Sequence, residues 1–327
     1  MVWILLLVWP SYGGSIPAIL LNIPGTASSV VTTIDGYEMA KKRQGGLALG
    51  VATTSSVFGG ISSSLVLLFL APFLAQQALK FGPAEYFSLA VMGLSTVVGM
   101  STGSMVKSLI VSVLGLGLSL IGLSPQTGYP RFVFGIDYLY DGVPLVPMLI
   151  GLFGVSSILS LSQTIEDDPL SNVKLKTTRF ERILPDRKML KRLFPAMVIG
   201  AVIGNIIGII PGAGMIMAIY LAYDQVKRRY PDLEFGTGVP EGVAAPEAAN
   251  NGVVASSMVP LLSLGVPGNS TSALFLGALM IHGMRPGPTL FIDYPDIAYF
   301  VVVAFLIGNI MMFPMGVAMC KFLSTSI

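Results

Sequence analysis

Charge is scarce in this sequence. Only 11% of its 327 residues are Asp, Glu, Lys or Arg, against about 25% in an ordinary soluble domain. With 53% hydrophobic residues and a mean hydropathy of +0.78, the shortage describes an all-α polytopic membrane protein held in a lipid bilayer. The net charge of +2 is too small to make nucleic acid a partner. A single cysteine, Cys320, excludes an internal disulfide. With His282 the only histidine, no Cys/His cluster exists to hold a structural metal, and no motif asks for a cofactor. Met1–Pro10 is apolar but lacks the basic start and small-residue cleavage site of a secretory signal.

What is present is an unusual amount of backbone-breaking sequence inside apolar runs. Residues 246–272 carry Pro260 and Pro267, with Gly265 and Gly268 beside them, followed by Asn269, Ser270, Thr271 and Ser272. Proline removes a backbone donor and glycine loosens the chain, so a lipid-facing helix would not be built this way. Irregular backbone at membrane depth is tolerated only where protein or a water-filled cavity satisfies its polar groups. The device recurs in residues 15–29, where Pro17 and Pro24 have the spacing of Pro260 and Pro267. At an offset of 243 residues, Gly25 matches Gly268, Ile23 matches Val266, Leu21 matches Leu264 and Ser29 matches Ser272. Broken apolar segments in corresponding positions of two halves point to a transporter's substrate site. The expected fold is therefore two related halves, an inverted repeat, each with a Pro-Gly-broken helical element.

Taken in order, residues 1–165 form the first half, with its element at 15–29 and spans at 47–79, within 86–123 and at 143–161. Residues 166–193 are a basic linker, and residues 194–327 form the second half with elements at 208–214 and 260–272. Lys41–Arg43 and the 166–192 loop are expected in the cytoplasm and Ser124–Gly142 outside it, because basic residues stay inside. Gly200, Gly204, Gly208 and Gly212 recur every fourth residue, which aligns small residues for close helix packing. Lys227–Arg229 conflict with this scheme if 194–223 crosses once and agree with it if that stretch is a hairpin. The single crossing, which inverts the second element relative to the first, is the preferred reading.

The candidate binding groups are uncharged. Asn22, Gly25, Thr26, Ser28 and Ser29 come from the first half, and Asn250, Asn251, Gly268, Asn269, Ser270, Thr271 and Ser272 from the second. Half-helix N-termini favour anions and unwound carbonyls favour cations, so such breaks suit a carboxylate substrate with a transported ion such as sodium. The competing reading is that Ser, Thr and Asn are packing glue between helices. Glu247 and Asp35 are candidate coupling carboxylates. An ionisable group inside the membrane costs about 2.5–3.5 kcal/mol and is usually functional, yet both could equally sit in loops. A channel or structural subunit would not need duplicated broken segments. A hydrolase reading rests on Gly99-Met100-Ser101-Thr102-Gly103, which lacks the strand-to-helix elbow and nearby histidine such a motif needs.

Several longer motifs resemble the large, TctA-like membrane subunit of the tripartite tricarboxylate transporter family. They are N-I-P-G-T-A-S-S-V-V-T-T-I-D-G-Y-E-M-A at 22–40, P-R-F-V-F-G at 130–135, G-I-I-P-G-A-G at 208–214, F-G-T-G-V-P-E-G-V-A-A-P-E-A-A-N-N at 235–251, and L-G-V-P-G at 264–268 followed by H-G-M-R-P-G-P at 282–288. The resemblance implies a secondary transporter, not an enzyme, in the bacterial inner membrane. It implies a small membrane subunit, a periplasmic solute-binding protein delivering carboxylates, and coupling to a sodium or proton gradient. Measured against that family, the chain is expected to be truncated at both ends.

Overall fold

A computed structural model describes residues 11–99, 104–124, 127–144, 147–148, 150–155, 158–159 and 183–326. The linker expected at 166–193 therefore lies outside the described residues up to 182. The chain divides into two compact units, one comprising Met1–Lys80, Pro169–Ser272 and Pro286–Ile327, the other Phe81–Asp168 and Ala273–Arg285.

The regular elements of the first unit's described residues are all helices. It contains α1 (Ser15–Leu21), a 3-10 turn (Ala27–Ser29), α2 (Val30–Lys41) and α3 (Gly45–Ala78). After the linker come α6 (Arg187–Ile209), α7 (Gly214–Arg229), α8 (Pro240–Ser256) and α9 (Met258–Leu264), then α11 (Leu290–Asp293) and α12 (Pro295–Ser326). Among the described residues, three helices are long and apolar enough to cross a membrane: Gly45–Ala78, Arg187–Ile209 and Pro295–Phe322. The second unit holds α4 (Pro83–Gly99), α5 (Met105–Ser119), a two-residue antiparallel ladder of β1 (Gly122–Leu123) with β2 (Pro130–Arg131), and a π-helical segment, Ile150–Val155. Most of α10 (Ser270–Ile281) also belongs to it.

The first unit is built around α8. Every residue from Glu241 to Ser256 is buried, and nearly all are small, so neighbours come within backbone distance. The four-residue glycine repeat of α6 supplies one such neighbour. A Cβ on Gly200 would lie 2.1 Å from the Ala245 carbonyl oxygen, and one on Gly204 would lie 2.4 Å from that of Ala249. On the other side, a Cβ on Gly59 of α3 would lie 2.1 Å from the Ala248 oxygen. Close backbone approach is what small residues permit between helices.

These contacts fix directions. Arg192 meets Glu241, Gly200 meets Ala245 and Gly204 meets Ala249, so α6 and α8 run parallel. The connecting α7 must run back between them. The single crossing expected for 194–223 is thus corrected to a hairpin, hinged at Pro211-Gly212-Ala213-Gly214, where Gly212 and Gly214 adopt φ of 81° and 70°. The hairpin resolves the charge conflict. Lys42 Nζ donates to the Thr237 carbonyl, and a Cβ on Gly50 would meet the Ile183 oxygen. Lys41–Arg43, the start of α6 and Lys227–Arg229 consequently gather at one end of the bundle.

The stretch 224–250 is mostly helix, so Glu247 lies in a helix and not in a loop. Asp35 organises what remains of it. Its Oδ1 accepts the amides of Gly236, Gly238 and Val239 at 2.8–2.9 Å, and its Oδ2 accepts the Tyr223 hydroxyl at 2.8 Å. Wrapping three amides around one oxygen requires φ of 89° at Gly236 and 97° at Gly238, a region that favours glycine. Pro240 then starts α8 at its first helical position, where no amide partner is lost. The Arg192 guanidinium holds Glu241 at 2.5 and 3.0 Å.

Candidate substrate and coupling site

The two Pro-Gly elements share one backbone design. Each begins with a seven-residue helix, Ser15–Leu21 and Met258–Leu264. Each helix ends in a left-handed residue, Asn22 at φ 60° and Gly265 at φ 76°. Asn is among the few side chains that tolerate that region, which is why it can stand where the other copy has glycine. The next amide turns back to the first proline's carbonyl, Ile23 to Pro17 at 3.3 Å and Val266 to Pro260 at 3.2 Å. The glycine of each Pro-Gly step then presses on the residue before the helix. A Cβ on Gly25 would lie 3.0 Å from the Gly14 oxygen, and one on Gly268 would lie 3.0 Å from that of Ser257. Last, a serine hydroxyl closes the following turn. Ser29 Oγ accepts the Thr26 amide and donates to its carbonyl; Ser272 Oγ does the same for Asn269. Every pair is separated by 243 residues.

The elements also run in opposite directions. Ser11 lies at Asn250 and Ser15 at Glu247, so the first element descends as α8 rises. Ser257 has helical φ and ψ of −69° and −15°, so α9 continues the direction of α8.

Of the residues expected to bind, Gly268 is tied to the 208–214 break, while Asn250 and Asn251 lie within α8. The Gly212 amide donates to the Gly268 carbonyl at 2.8 Å, joining the 208–214 break to the second Pro-Gly step. In the first half, the turn 27–29 packs against α7 and α8. Among the described residues, no hydrogen bond joins 22–29 directly to 265–272. Asn22, Gly25 and Ser270 are exposed on the protein surface, Thr26, Asn269 and Thr271 half-buried, and Ser28, Ser29, Gly268 and Ser272 buried. Asn269 also accepts the Ser272 amide through Oδ1 at 2.8 Å, leaving its buried Nδ2 without a partner.

Asn250 and Asn251 lie inside α8. Asn250 Nδ2 donates to the Ser11 carbonyl at 2.8 Å and Asn251 Nδ2 to the Glu247 carbonyl at 3.4 Å. Their Oδ1 atoms, and that of Asn205 on α6, are buried with no protein partner. Buried acceptors of this kind need an explanation, because leaving a polar atom unpaired costs about 1–3 kcal/mol.

Glu247 is fully buried in the middle of α8. Its Oε1 accepts hydroxyls from Ser15 at 2.6 Å and Thr32 at 2.5 Å, and its Oε2 accepts that of Ser56 at 2.8 Å. The donors come from α1, α2 and α3. Sequence reasoning missed all three, since nothing in a linear pattern brings residues 15, 32 and 56 to one carboxylate. Asp35, by contrast, is occupied by the turn beneath α8. Of the G-x-S-x-G match, residues 100–103 lie outside the described residues. His282 Nδ1 contacts the Ala278 carbonyl at 2.8 Å within its own helical turn.

Comparison with known proteins adds an independent line. The family model described as "Tripartite tricarboxylate transporter TctA family" matches residues 6–327. The chain is 39% identical over 303 residues to an Agrobacterium vitis protein described as "Uncharacterized 52.8 kDa protein in TAR-I ttuC' 3'region", covering 92% of this chain and 59% of that protein. A second Agrobacterium vitis protein, "Uncharacterized protein in TAR-II ttuC' 3'region", is 36% identical over 110 residues, 33% of this chain and 46% of its own length. The chain thus spans well under two thirds of the curated relatives it matches. No solved structure matches it. The chain belongs to the tripartite tricarboxylate transporter TctA family, a family of transporters and not of enzymes.

Proposed function

We propose that this member of the TctA family carries the substrate pathway of a secondary transporter that takes up tricarboxylate or related carboxylate anions across the bacterial inner membrane. A periplasmic solute-binding protein delivers the anion, a small membrane subunit completes the complex, and a sodium or proton gradient drives the cycle.

The observation that carries this reading is the recurrence of one Pro-Gly element, bond for bond, in two copies that run in opposite directions. Such a pair is the signature of an inverted repeat, and its broken backbone is where transporters of that kind bind substrate. The partly exposed Asn22, Thr26, Asn269, Ser270 and Thr271, with the amides of the two breaks, are the anion-facing groups. Asn250 and Asn251 offer unpartnered oxygens to a cation or to substrate hydroxyls. Asp35 anchors the turn beneath α8, leaving Glu247 as the carboxylate available for coupling.

The test is flux. The full-length protein, reconstituted into liposomes with its small membrane subunit and binding protein, should accumulate labelled citrate against its gradient when a sodium or proton gradient is imposed. Downhill leak alone would mean a channel, and no flux under any gradient would end the transport reading.

A further inference from the structure

We propose that Glu247 is a proton-binding site, and that its protonation is transmitted to the first Pro-Gly break through Gly14 and Ser15. This rests on the reading of that break as part of the substrate pathway and specifies the coupling ion.

The charge balance of the site comes first. Glu247 is completely buried, and among the described residues no cation is bonded to it. Several ionisable groups on the surrounding elements are bonded elsewhere. Asp35, on α2, is taken up by backbone amides and Tyr223 of α7. Glu241, on α8 itself, is paired with Arg192 of α6. Tyr12, beside α1, bonds to Thr53 and to Cys320 of α12. Helix α3, which supplies Ser56, has no ionisable residue; those of α6 are Arg187, Lys188, Lys191 and Arg192, all in its first two turns, and on α2 Glu38 pairs with Lys41. A carboxylate taken out of water without a counter-charge is held at high cost unless it is neutralised.

The geometry admits a proton more readily than a metal ion. All three neighbours approach at 2.5–2.8 Å, a distance filled by hydrogen bonds alone. The backbones of α3 and α8 close over the group, with Gly59 against Ala248. The same heavy atoms serve both protonation states. As a carboxylate, Glu247 accepts from Ser15, Thr32 and Ser56. When Oε2 takes up a proton, Oε1 still accepts two hydroxyls while the new O–H donates to Ser56 Oγ. The Ser56 hydrogen then turns to a carbonyl one turn back on its own helix, a bond serine makes readily. Atoms and charge balance: one proton is taken up and no bond between heavy atoms changes.

What changes is bond strength, because charge-assisted hydrogen bonds are roughly twice as strong as neutral ones. Ser15 feels this directly, and its neighbour Gly14 accepts the Gly25 amide at 3.1 Å and packs on the Thr26 side chain. The pair Gly14–Ser15 therefore touches the proton site with one residue and the break with the other. Loosening at Glu247 frees the break.

The chain in lipid nanodiscs tests this without its partners. Infrared difference spectra between acid and alkaline pH should show, beside the bands of the exposed carboxyls, a separate carboxylic-acid carbonyl band of a buried group slow to exchange into D2O, lost in Glu247→Gln and shifted in Ser15→Ala. Hydrogen exchange of residues 22–29, corrected for intrinsic chemistry, should rise on acidification in the wild type and lose that pH dependence in Glu247→Gln. A wild-type spectrum without that slowly exchanging band overturns the proposal even if the variant does not fold, as does its survival in Glu247→Gln. Exchange that responds to sodium at fixed pH and not to pH would overturn it in favour of a sodium site. Protection of both breaks by citrate at fixed pH checks the substrate reading separately. Its absence beside an intact proton signature would remove that reading and leave the proton site standing.

Discussion

The Gly212 amide donates to the Gly268 carbonyl across 2.8 Å, tying the hinge of one hairpin to the Pro-Gly step of another segment. Both residues occupy broken backbone, where amides and carbonyls lose their helical partners. Bonding the breaks to each other satisfies two such groups and leaves the rest facing outward. Gly268 has no room for a side chain: a Cβ there would lie 3.0 Å from the Ser257 oxygen and 3.1 Å from that of Gly208. Gly268→Ala should push the breaks apart, raising hydrogen exchange at 211–214 and 265–269 while the rest of α8 stays protected. Unchanged exchange at both segments would show that the junction carries no structural role.

A graded response is expected along the α6 glycine face. Gly204→Ala places a methyl against the Ala249 backbone, which cannot move alone, whereas Gly208→Ala meets first the Ser256 Oγ at 1.9 Å, the end of a small side chain. Overpacking costs about 1–3 kcal/mol, so Gly204→Ala should lower the unfolding temperature in detergent more than Gly208→Ala. Gly204→Leu should abolish the folded species on size exclusion. Equal, small effects would mean that α6 and α8 shift apart freely.

Topology follows from the hairpin. Cysteines introduced at Lys42, Lys188 and Lys227 in a Cys320→Ala background should label from the same side of the membrane, because the structure gathers those three segments at one end of the bundle and basic residues favour the cytoplasm. Opposite labelling of positions 188 and 227 would reinstate a single crossing through α7.

Much of this was legible in the sequence, and the rest was hidden for specific reasons. The spacing of Pro17 with Pro24 and of Pro260 with Pro267 revealed both broken elements, because proline and glycine constrain the backbone directly. The glycine repeat of α6 announced a close neighbour but not that α8 was the neighbour. Helix α8 itself was obscured, since Glu241, Pro246, Glu247, Asn250 and Asn251 lower its hydropathy and read as loop. Only the packing of α6 and α3 around it shows that it is the centre of its unit. The Asp35 turn was invisible for a related reason: its partners, residues 223 and 236–239, lie about two hundred positions away.

The backbone repeat can be tested by exchanging its left-handed residues. Asn22→Gly and Gly265→Asn should both fold, since each puts into one copy what the other already uses. Asn22→Val and Gly265→Val should each cost about 1–2 kcal/mol, the penalty of that region for an ordinary side chain. The measurement is thermal unfolding in detergent. If Asn22→Val and Asn22→Gly are equally stable, the conformation of the first element is not fixed as in the second.

The proposed binding residues provide the most direct prediction. Thr26 and Asn269 stand at matching positions, each beginning the turn that a serine closes, and each is half-buried at the edge of a break. Asn269 keeps a buried amide hydrogen donor without a protein partner, a group suited to a substrate carboxylate. Asn269→Asp retains the side-chain oxygen that caps the Ser272 amide but replaces the unpartnered donor with an anion. On the proposed carboxylate-uptake reading, this variant should therefore raise KM for labelled citrate by tenfold or more, since one lost charge-assisted hydrogen bond amounts to about 1.5–3 kcal/mol. Expression and unfolding temperature should stay near wild type, because the turn-closing bonds remain. Thr26→Ser, which keeps the hydroxyl, should leave KM within about twofold, as expected for a change that deletes no hydrogen bond. The two variants together separate binding from architecture. Normal citrate kinetics in Asn269→Asp would return Asn269 to a purely structural role, and equal damage from Thr26→Ser would point to packing in place of recognition.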